Sequence, residues 1–119
     1  AKVLELGSGS GNLLQYLEKE GVDCVGVDIR PRGGSEASQV QARVESLPFA
    51  DESFDLVLSV QVFDPNVYKQ DQELMLSEIS RVLRTDGLYY GALEDLNVQL
   101  PDGLEYIKSD SFVRIIRKK

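Results

Sequence analysis

Lys2-Val3-Leu4-Glu5-Leu6-Gly7-Ser8-Gly9-Ser10-Gly11-Asn12-Leu13-Leu14-Gln15-Tyr16-Leu17 is the stretch from which the rest of this 119-residue chain can be read. Its opening residues form a short apolar run cut off by glycine, the pattern of a strand buried in a parallel sheet. Glycines then stand at every second position, 7, 9 and 11. Lacking a Cβ, they tolerate positive φ and let the backbone come close to a ligand. Across residues 12–20, Leu13, Leu14 and Leu17 recur at helical spacing with Tyr16 beside them, and Gly21 supplies a stop. The helix begins with unpaired N–H groups and a positive dipole end, both aimed back at the glycine turn.

Outward from this unit the alternation continues. Residues 25–29 predict a second strand, and Pro31, Gly33, Gly34 and Ser35 a loop with little room for a long second helix. Residues 39–44 predict a third strand, and 45–53 a turn-rich link around Pro48. Phe54–Val60 is a fourth apolar strand. Residues 71–84 carry Leu74, Met75, Ile79, Val82 and Leu83 on one helical face, and Thr85-Asp86-Gly87 closes that helix before a fifth strand at 88–93. From Leu104 onward, two alternating runs around Ser109-Asp110-Ser111 predict a terminal hairpin. Strands alternating with helices predict an α/β sheet with right-handed crossovers.

Composition narrows the function classes. With 42% hydrophobic and 28% charged residues the chain is an ordinary globular sequence, large enough for one core but short for a complete enzyme. It starts on strand-like residues without an initiator Met, which reads as a fragment with no targeting segment in view. No apolar run approaches the roughly 20 residues of a membrane span. The net charge of −7 repels phosphate backbones, so nucleic acid is not an expected partner. The one basic cluster, Arg114, Arg117, Lys118 and Lys119, reads as a solubilising terminal edge strand. Cys24 is the only cysteine and there is no histidine, so no disulfide and no metal site are expected. A buried, inert thiol fits a reducing, cytoplasmic setting.

Two acids give the glycine turn its chemistry. Glu5, two residues before the first glycine, would repel a pyrophosphate but suits an ammonium group. Asp28 ends the second strand, where a carboxylate can accept hydrogen bonds from ribose hydroxyls.

These residues also carry a family resemblance. Val3-Leu4-Glu5-Leu6-Gly7-Ser8-Gly9-Ser10-Gly11 resembles the first motif of class I S-adenosylmethionine-dependent methyltransferases, and Gly26-Val27-Asp28-Ile29 is similar to their second-strand motif. The run from Glu45 through Pro48, Phe49 and Asp51 to Val57 looks like the approach to their fourth strand. Glu78-Ile79-Ser80-Arg81-Val82-Leu83-Arg84 resembles their fourth helix. The resemblance is closest to the group acting on small molecules, quinone-ring and lipid methyltransferases among them. It implies a Rossmann-like, mostly parallel sheet with a C-terminal antiparallel hairpin in a three-layer α/β/α arrangement. That domain would span residues 1–119, truncated and without the N-terminal helix that covers the ligand in relatives.

The resemblance also implies S-adenosylmethionine as cofactor and assigns its contacts. Gly7, Ser8 and Gly9 would lie along the methionine portion, Glu5 near its amino group, with Gly11 completing the loop. Asp28 would hold the ribose, and Ile29, Arg43 and Val44 would surround the adenine. Ser59 and Val60 would flank the sulfonium. Two departures stand out. Arg43 replaces the usual Asp that contacts the adenine amino group, and Arg has no acceptor to offer, so stacking or pairing with Glu45 is expected instead. Thr85-Asp86-Gly87 replaces the usual Pro-Gly-Gly.

Methyl transfer to a small-molecule acceptor needs in-line geometry more than acid–base groups. No catalytic residue is assigned, although Phe63, Asp64 and Tyr68 are candidate pocket residues. The alternative is a non-catalytic methyltransferase-like domain that serves as a protein-interaction or regulatory module. A nicotinamide dinucleotide domain fits worst, since that fingerprint wants glycine at Asn12 and Glu5 would face the pyrophosphate.

Overall fold

A computed structural model describes residues 1–33, 38–60, 62–63, 68–92, 96, 98–110 and 112–119. Along these the chain forms β1 (Lys2–Leu6), α1 (Asn12–Lys19), β2 (Asp23–Asp28), β3 (Gln39–Gln41) and β4 (Phe54–Val60). It continues with α2 (Lys69–Val82), β5 (Leu83–Ala92), β6 (Leu104–Ser109) and β7 (Val113–Lys118). The strands make one sheet in the order β3-β2-β1-β4-β5-β7-β6. β1 to β5 pair in parallel, while β7 runs antiparallel to both β5 and β6. The order reverses at β1, whose neighbours are β2 and β4. Ligand crevices of open α/β sheets form beyond the strand ends at such a reversal.

The pleat of β1 explains the layers. Leu4 and Leu6 point to one face and share a buried cluster with Val57 and Tyr89 of the sheet and Met75, Leu76, Ile79 and Val82 of α2. Val3 points to the other face and shares a second cluster with Cys24 and Leu14 of α1. Alternate side chains therefore feed opposite faces, and the two helices sandwich the sheet. No helix among the described residues is long and apolar enough to cross a membrane.

Several local expectations change. β3 ends at Gln41 rather than 44, because the chain reverses at Arg43, whose carbonyl accepts the Ser46 N–H at 3.1 Å. α2 ends at Val82 and passes directly into β5, so Thr85-Asp86-Gly87 lies inside a strand instead of closing a helix. Asp86 sits at φ 68°, and the β4–β5 register shifts between Phe54 and Leu56. β5 carries three more residues between Leu83 and Leu88 than β4 does between their partners Phe54 and Leu56, so this irregularity accommodates turn-forming residues without ending the strand. Leu74 is exposed, while Gln72 and Leu76 take places on the core face of α2. The basic C-terminal strand is not an edge: β7 lies between β5 and β6. Its Arg117 pairs with Glu105, and its Lys118 Nζ donates to the Leu83 carbonyl at 2.8 Å.

Gly26 of β2 is where backbone and glycine turn come closest. A Cβ there would lie 2.6 Å from both the Ser8 Cβ and the Leu14 Cδ1. Gly26→Ala is expected to cost about 1–3 kcal/mol by overpacking. Gly103→Ala, where the nearest atom is 3.8 Å away, is the control and should be close to neutral. Denaturant unfolding of the two variants checks this, and equal midpoints would remove the close-packing argument.

Candidate functional site

The glycine turn leaves the carboxyl end of β1 and is fastened to β2. Ser8 is buried and its N–H donates to the Val27 carbonyl at 3.0 Å. The Gly9 N–H donates to Asp28 Oδ2 at 2.8 Å, and the Gly9 carbonyl accepts the Arg32 N–H at 2.9 Å. Gly7, Gly9 and Gly11 have φ of 69°, 54° and 78°, a conformation that other residues adopt only with strain. Gly11 caps α1 without a side-chain hydrogen bond, leaving first-turn N–H groups of the helix open. The other Asp28 oxygen, Oδ1, accepts the Arg30 N–H at 2.8 Å. Asp28 thus orders the loops on both sides of the strand end.

Glu5 lies beneath this turn. Its Oε1 is buried and has no hydrogen-bond partner among the described residues. Burial first, and the Asp28 carboxylate second, push the Glu5 pKa up to about 7. Two acids close to the glycine turn, one of them desolvated, leave negative charge there that a cation would stabilise.

The predicted site residues divide between two openings. Gly7, Asp28, Ile29, Arg43 and Val44 line a cavity of about 400 Å³ beyond the ends of β1 and β2. Glu5, Ser59 and Val60 line an apolar groove of about 520 Å³ with Leu13, Leu17, Leu58 and Tyr90, on the face that carries α1. Ser8 and Gly11 are buried behind the turn. Ile29 at the rim of the cavity is 52% exposed, unusual for a large apolar side chain. Arg43 pairs with Glu45, its Nε donating to Oε2 at 2.9 Å, and both line the cavity. Ser59 is bonded to the buried Tyr89 hydroxyl at 2.5 Å, and Phe63 packs edge-on against the Tyr89 ring. Phe63 is fully buried, while Asp64 lies outside the described residues.

The cavity also contains residues that periodicity alone did not assign to it. Asp71 and Met75 of α2 face it, beside Tyr68, which the sequence already marks as a candidate pocket residue. Asp71 reads in sequence as an ordinary first-turn acid, and Met75 as a core residue. Gln39 was also missed: its amide reaches the glycine turn from β3. A polar strand residue carries no local sign of where its side chain will reach.

Comparison with known proteins gives this arrangement a family. The model of a family described as a methyltransferase domain matches residues 4–91. An uncharacterized methyltransferase of Synechocystis, sll0829, is 34% identical over 103 residues, covering 81% of this chain and 47% of its own length. The chain belongs to the class I S-adenosylmethionine-dependent methyltransferase family. Among solved structures, a TehB-like S-adenosylmethionine-dependent methyltransferase from Corynebacterium glutamicum shares the fold at a TM-score of 0.73 and 24% identity. That match covers 100% of this chain and 80% of the other. The 1,6-didemethyltoxoflavin-N1-methyltransferase of Burkholderia thailandensis, solved with 1,6-didemethyltoxoflavin and S-adenosylhomocysteine bound, matches at a TM-score of 0.69 and 18% identity. It covers 99% of this chain and 71% of that one. The Rossmann-like fold is thereby shared across the whole chain. In length, the chain spans about a third to a half of the curated relatives it matches.

The Glu5 shift has a testable sign. A carboxyl whose folded pKa is raised stabilises the fold below its unfolded value, and that contribution is lost as pH rises through the folded one. Glu5 should therefore weaken the ligand-free protein between about pH 4.5 and 7. Asp55, Glu78 and Asp110, whose carboxyls are held low by hydrogen bonds, act in the opposite direction at more acid pH. Glu5→Gln removes only the Glu5 contribution. Thermal melts should show the variant about 5 °C more stable than wild type at pH 8, and equal to it near pH 4. A difference independent of pH would contradict the assignment.

Proposed function

We propose that this chain is the cofactor-binding core of an S-adenosylmethionine-dependent methyltransferase acting on a small molecule, with the cofactor held at loop 7–11. The observation that carries the reading is Glu5, a buried carboxylate oxygen without a partner among the described residues, beside a glycine turn clamped by Asp28. A buried unpaired acid is costly, and the ammonium of the methionine portion is the partner that would relieve it. The turn fits close backbone approach as well: a Cβ on Gly7 would stand 3.3 Å from Val62 and narrow the cavity mouth.

In this reading Gly7, Ser8 and Gly9 follow the methionine portion and Glu5 receives its ammonium. Asp28 still has lone pairs free beyond its two backbone bonds, and these accept the ribose hydroxyls. The exposed Ile29 packs on the adenine, with Val44 offering backbone groups to its edge. Arg43, engaged with Glu45, closes the rim and supplies no acceptor of its own. Ser59 and Val60 stand on the sulfonium side. S-adenosylmethionine, when bound, supplies an electrophilic methyl group on sulfur. The chain's own residues orient it and exclude water, and none is assigned a proton-transfer role. A small-molecule acceptor is supported by the sequence resemblance and by the acceptor of the didemethyltoxoflavin enzyme. The net charge of −7 argues against a nucleic-acid acceptor. The single buried thiol fits a reducing cytoplasm.

A second reading, a methyltransferase-like domain without catalysis, is favoured by one observation. Arg43, which stands where the resemblance expects an acid for the adenine, is engaged with Glu45. Turnover of S-adenosylmethionine to S-adenosylhomocysteine with a pool of small metabolites separates the two readings, since saturable binding without turnover in the full-length protein supports the second.

Calorimetric titration tests the shared premise. Wild type should bind S-adenosylmethionine more tightly than NAD. Asp28→Ala should weaken that binding about 100-fold, because it removes charge-assisted hydrogen bonds from both ligand and loop. An unchanged affinity, with circular dichroism showing an intact fold, would sink the ribose assignment.

A further inference from the structure

Parallel neighbours β2 and β3 are joined through residues 29–38 with no helix in the described part of the connection, where such crossovers usually carry one. A single side chain does part of the bracing. Gln39, the first residue of β3, is half-buried and directs its amide into the glycine turn. Its Nε2 donates to Ser8 Oγ at 2.7 Å and to the Gly9 carbonyl at 2.8 Å. Its Oε1 accepts the Gly33 N–H at 2.8 Å. The partners fix the amide orientation, because a flipped group would set oxygen against the Gly9 carbonyl and N–H against N–H at Gly33. One residue therefore ties the glycine turn, β3 and the loop after β2 into a single unit.

We propose that Gln39 is a positioning residue for the cofactor, holding the Gly7-Ser8-Gly9 backbone in the shape that receives the methionine portion. The proposal rests on the cofactor assignment above. Gly9 is fixed at its N–H by Asp28, while its carbonyl is fixed by Arg32 and Gln39 together. Without Gln39, Ser8 Oγ keeps only a long 3.4 Å bond to the Val27 carbonyl. The carbonyl of the Gly9–Ser10 peptide then keeps only the Arg32 N–H, and a loop ordered only on binding binds more weakly than a preorganised one.

The effect should follow the part of the ligand that touches the loop. S-adenosylhomocysteine carries the amino-acid portion, and 5′-methylthioadenosine lacks it. In Gln39→Ala we expect about tenfold weaker binding of the first and less than about twofold for the second. Gln39→Glu keeps the side-chain shape but turns a carboxylate on the Gly9 carbonyl, so it should behave like the alanine variant even if that one folds poorly. In ligand-free protein, amide exchange at Gly33 should quicken in Gln39→Ala, because its acceptor is gone. Equal weakening for both ligands would make Gln39 a general structural residue and overturn the proposal. So would unchanged affinity in both variants. A wild-type chain that binds neither ligand would overturn the cofactor assignment instead. The exchange measurement then still decides whether Gln39 holds the loop, with unchanged Gly33 exchange rejecting it.

Discussion

The contact on which the rest of the site depends is the seat of Ser8 against Gly26. Because β2 has no side chain there, the residue after the first glycine can sink to 7% exposure and bond its N–H to Val27. That contact draws the end of β1 over β2 and brings the Gly9 N–H to the Asp28 carboxylate two residues further along the strand. It also sets the start of α1, since Gly11 donates to the Ser8 carbonyl and Gln15 to the Gly11 carbonyl. A methyl group at Gly26 would push against Ser8 and Leu14 at once, so loop position and helix packing are one constraint rather than two.

Electrostatics at this spot run against stability. Two carboxylates near each other, with Glu5 desolvated, leave the ligand-free fold carrying a charge it is better off without at neutral pH. A structural role alone would favour glutamine or an apolar residue at position 5. The acid makes physical sense when a cation is brought to it, and the strand mouth is where a ligand's positive end would arrive. An acid that costs the ligand-free fold stability differs in this from a satisfied core acid, whose hydrogen bonds offset its burial.

How much could be read from the chain alone depended on the range of the interaction. The glycine turn, the strands on either side and Asp28 were legible because their signals are local: an apolar run, a break, an acid at a strand end. Family membership followed from the same residues. β3 is shorter than its sequence suggests because nothing in Ala42-Arg43-Val44 announces that the Ser46 N–H will bond back to the Arg43 carbonyl. Thr85-Asp86-Gly87 reads as a turn by composition, yet pairing of Leu83 with Phe54 carries the strand through it as an irregularity of register. The basic tail reads as an edge because charge suits edges, whereas β7 is inserted beside β5, with Arg117 turned to Glu105 and Lys118 to the Leu83 carbonyl. Gln39 was invisible for the same reason: its importance lies in three partners distant in sequence or separated by a loop.

The face of the sheet that carries α1 is only partly covered. Val3 and Leu14 are buried there, but Leu58 is only partly covered, and Tyr90 and Val60 are exposed, so an eight-residue helix leaves an apolar groove beside it. Glu5 opens into that groove while Asp28 opens into the cavity across the strand ends. The two acids therefore lie on the two sides of the glycine turn, and a ligand that meets both must pass over Gly7 and Gly9. That requirement explains why backbone without side chains occupies the crossing point. The turn is held from β2, from β3 and from the loop between them, since glycines at 7, 9 and 11 leave Ser8 as the side chain through which the turn is anchored and the rest of its rigidity has to come from its neighbours.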